Sequence, residues 1–135
     1  MLAQWTVVVD DGTRPFGPGI SPDQRRPLHL TVGDETTLEI SLVDPEGGAV
    51  LLGTSDFLQL DLRTLSRPQR QILTARSAAI AGGRQRITIA ADTTRTVLPQ
   101  RGEFDLWLVR GGKRTQLIPI SELMLAPSAL GTNYL

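Results

Sequence analysis

The stretch Thr36–Val43, TTLEISLV, decides the fold class of this 135-residue chain. Its polar and apolar side chains alternate in the order Thr37, Leu38, Glu39, Ile40, Ser41, Leu42. A period of two indicates a β-strand with one face in a core and the other in water. Turn residues flank the stretch, at Gly33-Asp34 and at Asp44-Pro45-Glu46-Gly47-Gly48, so it predicts a strand that enters a tight reversal.

Short segments of the same kind recur along the whole chain. The predicted strands are Gln4–Val9, Leu28–Val32, Thr36–Val43, Ala49–Leu52, Phe57–Arg63, Arg84–Ala90, Glu103–Arg110, Arg114–Ile120 and Ser121–Ala126. Pro119 predicts an edge or a strand end, because proline cannot donate to a sheet ladder. We expect one domain over residues 1–135, an all-β, antiparallel immunoglobulin-like sandwich of about seven to nine strands with at most one short helix.

Two segments do not follow this pattern. Asp10–Arg26 holds three glycines and three prolines, and predicts an extended loop or arm. Ser66–Ala81 has two interpretations. Ser66 and Gln69 resemble the capping box of a helix that Gly82 would end, whereas Gln71–Ala75 is equally consistent with a strand before a Gly82-Gly83 turn. The β-rich surroundings favour the strand.

The segment Glu103–Arg110 places Phe104, Leu106 and Leu108 on one face and Trp107 and Val109 on the other. A strand that is apolar on both faces is typical of an inner strand, or of one that lies beneath a partner.

Composition excludes most chemistries. The chain has no cysteine and a single histidine, His29, which alternates with Leu28 and Leu30 as a strand residue would. Thiolate nucleophiles, sulfur-ligated metals and the usual zinc sites are therefore excluded, and we predict no enzyme activity, no cofactor and no metal. No apolar run is long enough for a membrane span, and the amino terminus does not resemble a signal peptide, so we expect a protein made in a cytoplasm, without a membrane partner.

The zero net charge conceals an uneven distribution. Residues 1–60 carry nine acidic and three basic side chains, and residues 61–135 carry five and eleven, so the formal charges are −6 and +6. Either strands from the two halves interleave and the charges mix, or the halves segregate and copies associate head to tail as a homo-oligomer.

Six arginines between residues 63 and 86 are candidates for phosphate contacts. They are Arg63, Arg67, Arg70, Arg76, Arg84 and Arg86. Stacking aromatics are missing from this stretch and the whole chain is not basic, so nucleic-acid binding is the weaker alternative. A carbohydrate- or ligand-binding sandwich is the other alternative, and it needs exposed aromatic residues.

The turn Gly33-Asp34, the strand TLEISLV, the turn DPEGGAV and the segment LPQRGEFDLWLVRGGKRTQLI resemble the Ig-like N-terminal domain of phage baseplate upper proteins and related small phage or prophage tail proteins. The residues that match the family motif are Pro99, Gly102, Phe104, Asp105, Leu106, Leu108, Gly111 and Gly112.

This resemblance implies a non-catalytic structural or adaptor protein of a virion, in the tail or baseplate, which is assembled in the host cytoplasm and docks onto other phage structural proteins. It also implies a strand at Gln71–Ala75 and a short helical turn at Asp92–Val97. The arm and the arginine cluster supply the candidate interface residues, Arg14, Phe16, Arg63, Arg67 and Arg70.

Overall fold

The computed structural model describes residues 1–9 and 26–127. The predicted arm, apart from Arg26, lies outside the described residues, and so do Arg14 and Phe16. The elements are β1 (Leu2–Val8), β2 (Leu28–Thr31), β3 (Thr36–Val43), β4 (Phe57–Thr64), β5 (Gln71–Arg76), β6 (Ala78–Ala79), β7 (Gln85–Ile89), α1 (Ala91–Arg95), β8 (Gln100–Arg110) and β9 (Lys113–Ala126).

The strands form two sheets, with the orders β1-β3-β7-β6 and β2-β9-β8-β4-β5. Alternate residues of each long strand point between the sheets, as in β3 and β4, where buried and half-buried positions follow one another without a break. Leucine, isoleucine and valine side chains from both inner faces and the ring of Phe104 form one core. The predicted all-β sandwich with one short helix is confirmed.

The prediction that all strands are antiparallel is wrong for two pairs. β1 runs parallel to β3, and β2 runs parallel to β9. Parallel neighbours usually need a helical crossover. Here β2 lies between β1 and β3 in sequence but in the opposite sheet, so the chain returns to its first sheet in the same direction, with no helix among the residues described between β1 and β3.

The predicted strand Ala49–Leu52 is also wrong. After the turn, in which the Asp44 side chain accepts hydrogen bonds from the backbone of Glu46 and Gly48, only one isolated bridge joins Ala49 to Val43. β1 pairs along residues 37–43 of β3 and β7 pairs with residues 36–40 on the other edge, so only residues 41–43 are left for a returning strand.

The strand interpretation of the ambiguous segment is confirmed, because β5 covers Gln71–Arg76. The capping-box residues make other contacts. The Ser66 hydroxyl pairs with that of Thr64 at 2.9 Å, and the Gln69 amide donates to Glu103 at 2.6 Å. After β5 the chain crosses to the other sheet at Ser77, whose hydroxyl donates to Gln85 of β7.

Pro119 does not end a strand. It lies inside β9, next to the irregular pairing that places both Leu117 and Ile118 in the core. β2 pairs with β9 only from Leu123 onward, so Pro119 lies where β9 has no second neighbour among the described strands. The short helix implied by the resemblance is present as Ala91–Arg95, and its Thr94 hydroxyl accepts a hydrogen bond from the Gly33 backbone at 2.9 Å.

Each sheet contains strands from both halves of the sequence, so the two charged halves interleave. Glu39 of β3 accepts hydrogen bonds from Arg84 and Arg86, at 2.9 and 3.1 Å. The charges of the two halves therefore mix in the fold, as the first of the two interpretations predicts. Among residues 1–9 and 26–127, no helix is both long enough and apolar enough to cross a membrane.

Candidate interaction face

The outward side of the five-stranded sheet, which we call the outer face, carries polar and aromatic side chains that contact one another. It comprises Phe57, Gln59, Asp61, Arg63, Thr74, Arg76, Glu103, Asp105, Trp107, Val109, Arg114 and Gln116. The inner sides of the same strands fill the core, and no described strand or helix forms a second layer over the outer face.

Two aromatic rings on this face are each covered by an arginine. The guanidinium of Arg114 lies 4.3 Å from the ring centroid of Trp107, and that of Arg76 lies 4.4 Å from the ring of Phe57. Arg114 reaches Trp107 diagonally between β9 and β8, and Arg76 lies on β5 beside Phe57 of β4. Such cation–π contacts hold long side chains in one orientation.

Asp105 is the most buried charged residue of the face, at 4% exposure. The Arg63 guanidinium donates to both of its oxygens, at 3.2 and 3.3 Å, and the Gln116 amide donates at 3.4 Å. Arg63 also contacts Glu103 at 3.4 Å. Burial alone would lower the pKa of Arg63, but the hydrogen bonds and charges of these carboxylates outweigh it and the pKa lies above its usual value.

Asp61 lies directly opposite Asp105 across β4 and β8. It accepts hydrogen bonds from the Thr74 hydroxyl at 2.9 Å and the Gln59 amide at 3.3 Å, and Arg114 lies 3.6 Å away. The two carboxylates that face each other are thus each compensated by a different arginine. The result is a polar network in which every charge on the centre of the face has a partner.

The residues of the family motif build the hairpin at the centre of this face. Phe104, Leu106 and Leu108 are buried on its inner side, and Gly111 and Gly112 form the β8–β9 turn with φ of 57° and 79°. Pro99 is exposed just before β8.

Gly102 is required by a close approach of two strands. A Cβ atom there would lie 2.4 Å from the carbonyl oxygen of Arg63 in β4, which is far inside contact distance.

The arginines of residues 63–86 do not form one basic surface. Arg63 is paired with Glu103 and Asp105, Arg84 and Arg86 with Glu39, and Arg76 covers Phe57. Arg67 and Arg70 are exposed in the β4–β5 loop and form no side-chain hydrogen bond or ion pair with the described residues. The predicted interface residue Arg63 therefore belongs to the outer face, whereas Arg67 and Arg70 lie apart from it.

The remaining sequence-predicted features contribute little to a site. His29 is exposed on β2. In the described part of the chain, no three acidic or histidine side chains are grouped as metal ligands.

The described aromatic residues that could form a sugar platform are already in contact with other side chains. Trp5 packs 6.0 Å from Phe104 with Arg26 above it, and Trp107 and Phe57 are covered as described above. A carbohydrate-binding platform is not favoured.

Sequence reasoning did not find Asp61, Arg76 or Arg114 as members of the face. Strict alternation in Phe57–Arg63 places Asp61 on the polar side, and this was the available signal. Nothing local shows that Arg114 lies over Trp107, because that contact depends on the register of β8 against β9.

No protein-family model and no curated protein matches this chain significantly. Solved structures with a similar outline include the N-terminal domain of phage TP901-1 ORF48, with 13% identity, 95% of this chain and 99% of that chain covered, and a TM-score of 0.42. The cysteine protease inhibitor EhICP2 from Entamoeba histolytica is similar over 93% of this chain and 96% of its own, with 9% identity and a TM-score of 0.39. At identities and TM-scores this low, neither likeness says what this chain binds.

Proposed function

We propose that this chain is a non-catalytic structural or adaptor protein of a phage tail or prophage-derived particle, which docks onto neighbouring virion proteins through the outer face. The phage assignment is supported by the motif resemblance of Pro99 to Gly112, and the segment that carries it builds the centre of that face. The location in a virion and the absence of catalysis belong to the same proposal.

The observation that carries the docking surface is the pair of arginine-covered rings, Trp107 and Phe57, which lie together at one end of a neutralised charge network. Tryptophan and arginine are enriched where binding energy is concentrated in protein interfaces. Because the central carboxylates already have partners within the chain, a partner that covers them leaves no new unpaired charge. The side chains are also held in place beforehand, which lowers the entropic cost of binding.

The proposal is tested by co-purification with each protein that is encoded beside this one in its genome. We expect at least one tail or baseplate protein to be captured, and we expect Trp107→Ala and Arg114→Glu each to weaken capture by about tenfold or more. Arg114 also lies 3.6 Å from Asp61, so a circular dichroism melt of each variant separates lost binding from lost folding. Thr88→Ala, at an exposed position of the opposite sheet, is the matched control.

Two results would contradict the proposal. Genomic neighbours that are all metabolic enzymes would contradict the phage role. Equal capture by wild type, Trp107→Ala and Arg114→Glu would show that the outer face is not the docking surface.

A further inference from the structure

A groove of about 500 Å³ lies at one end of the sandwich, between the β4–β5 loop and the segment that joins α1 to β8. We call it the Arg67 groove, and the residues that matter for its chemistry are Arg67, Arg70, Ile72, Val97 and Leu98. None of the described residues that line it is acidic. The groove therefore presents positive charge beside an apolar surface.

Its two arginines, Arg67 and Arg70, are unpaired among the described residues. Neither guanidinium has a hydrogen bond or an ion pair with the described residues, whereas the other arginines of residues 63–86 contact carboxylates or a ring. A partner that supplies carboxylates to this groove would gain charge-assisted hydrogen bonds without breaking existing ones.

The loop that carries these arginines is held by its own hydrogen bonds. The backbone of Thr64 donates to the carbonyl of Arg70 at 2.9 Å, and the backbone of Arg70 donates to the Thr64 hydroxyl at 3.0 Å. Gln69 ties the same loop to Glu103 of β8. The loop backbone is thus set before a ligand arrives, which favours binding.

The apolar side of the groove is unusually open. Leu98 is 80% exposed, although Val97 beside it packs against the core. Ile72 contributes a second partly buried apolar side chain. An exposed leucine next to two unpaired arginines fits a ligand that combines negative charge with an apolar group.

We propose that the Arg67 groove binds an acidic peptide segment of a partner protein, whose carboxylates pair with Arg67 and Arg70 and whose apolar side chain contacts Leu98. The inference rests on the proposed function, because it takes a neighbouring structural protein as the source of that segment. A peptide is favoured over a nucleic acid, since two arginines without an aromatic ring supply neither a phosphate track nor a stacking platform.

The test is fluorescence anisotropy with a labelled peptide that alternates glutamate and leucine, and the same peptide with lysine for glutamate is the ligand control. We expect the acidic peptide to bind and the basic one not to bind. We expect Arg67→Glu/Arg70→Glu to weaken binding by about tenfold or more, Leu98→Ser to weaken it less, and added salt to weaken it in wild type. Lys113→Glu, at the exposed β8–β9 hairpin, is the control for Arg67→Gln/Arg70→Gln, because both changes lower the net charge by two.

Unchanged binding by Arg67→Glu/Arg70→Glu would overturn the inference, and so would tighter binding of an oligothymidylate of equal charge. A circular dichroism melt shows whether this variant is folded, and Arg67→Gln/Arg70→Gln repeats the test without charge reversal. If the groove variants bind the peptide normally while capture through the outer face persists, the groove inference fails and the proposed function stands. If the peptide binds through the arginines but no neighbouring protein is captured, the proposed function fails.

Discussion

Asp61 and Asp105 face each other directly across β4 and β8, on the outer face of the five-stranded sheet. Like charges at directly opposed positions destabilise a sheet, so this pair depends on the arginines around it. Arg63 binds Asp105 and Arg114 approaches Asp61, and the two arginines come from different strands. The centre of the outer face is therefore one coupled network, in which the loss of Arg63 or Arg114 exposes a neighbouring carboxylate to its like-charged partner.

Arg63→Ala is expected to lower the free energy of unfolding by about 3 kcal/mol, because it leaves the buried Asp105 carboxylate without its main partner. Urea denaturation measures the change. The control is Asp105→Asn, alone and combined with Arg63→Ala. We expect the double variant to lose much less free energy of unfolding than the sum of the losses of the two single variants. Additive losses would show that the pair is not coupled.

Gly102→Ala is expected to destabilise the protein by about 2 kcal/mol, because its methyl group would overlap the Arg63 carbonyl oxygen. Thermal unfolding of the variant checks this. Gly53→Ala is the matched control, since its new Cβ would meet only the end of the flexible Asp56 side chain, at 3.2 Å. Equal melting temperatures for the two variants would contradict the predicted clash.

Gly112→Ala is expected to cost about 1 kcal/mol, because φ at this position is 79° and a residue with a Cβ is strained there. The surroundings are open, so the cost comes from the backbone alone. Gly112→Asn should cost less, since asparagine tolerates the left-handed region. Chemical denaturation of both variants compares them, and an equal or larger loss for asparagine would count against backbone strain as the cause.

Glu39→Gln is expected to destabilise the protein at neutral pH and to do so less in acid. The hydrogen bond from Arg86, together with the charge of Arg84, lowers the pKa of Glu39 below its usual value of 4.5. A carboxyl group whose pKa is lower in the folded than in the unfolded chain stabilises the fold at pH values above its usual pKa. This contribution disappears as the pH falls through the pKa of the folded state. Urea midpoints of wild type and variant should therefore differ more at pH 7 than at pH 3.

The control for this pH dependence is Glu35→Gln, because Glu35 is exposed and its carboxylate has no ion pair with the described residues. Its difference from wild type should be small at both pH values. A Glu39→Gln effect of the same size at pH 3 and pH 7 would contradict the assigned ion pairs.

Most of the strands could be predicted from the sequence, because a period of two is a local property of each segment. Thr36–Val43 was predicted with the bounds that the structure has, and its Leu38, Ile40 and Leu42 are buried. Ala49–Leu52 has an equally apolar sequence but is not a strand. Whether such a segment pairs depends on a free neighbouring edge, and β1 and β7 leave only residues 41–43 of β3 free on one edge.

The candidate site was less accessible to prediction. The motif residues Gly102 to Gly112 were found because they are contiguous, and Trp107 was recognised as an outward apolar residue of β8. The contact of Arg114 with Trp107 and the pairing of Arg63 with Asp105 join different strands, and the latter spans 42 positions. Such contacts depend on strand order and register, which no local pattern contains.

By itself the sequence determined the β-class of the fold, most of its strands, the glycine turn at Gly111-Gly112, the absence of cysteine and the single histidine. These are properties of residues next to one another in the chain, since alternation and turn chemistry act locally. Only the tertiary structure decided which strands run parallel, which arginines are neutralised and that Arg67 and Arg70 stay unpaired among the described residues. The reason is physical: each of these depends on where distant strands meet, and that is set by the packing of the whole core.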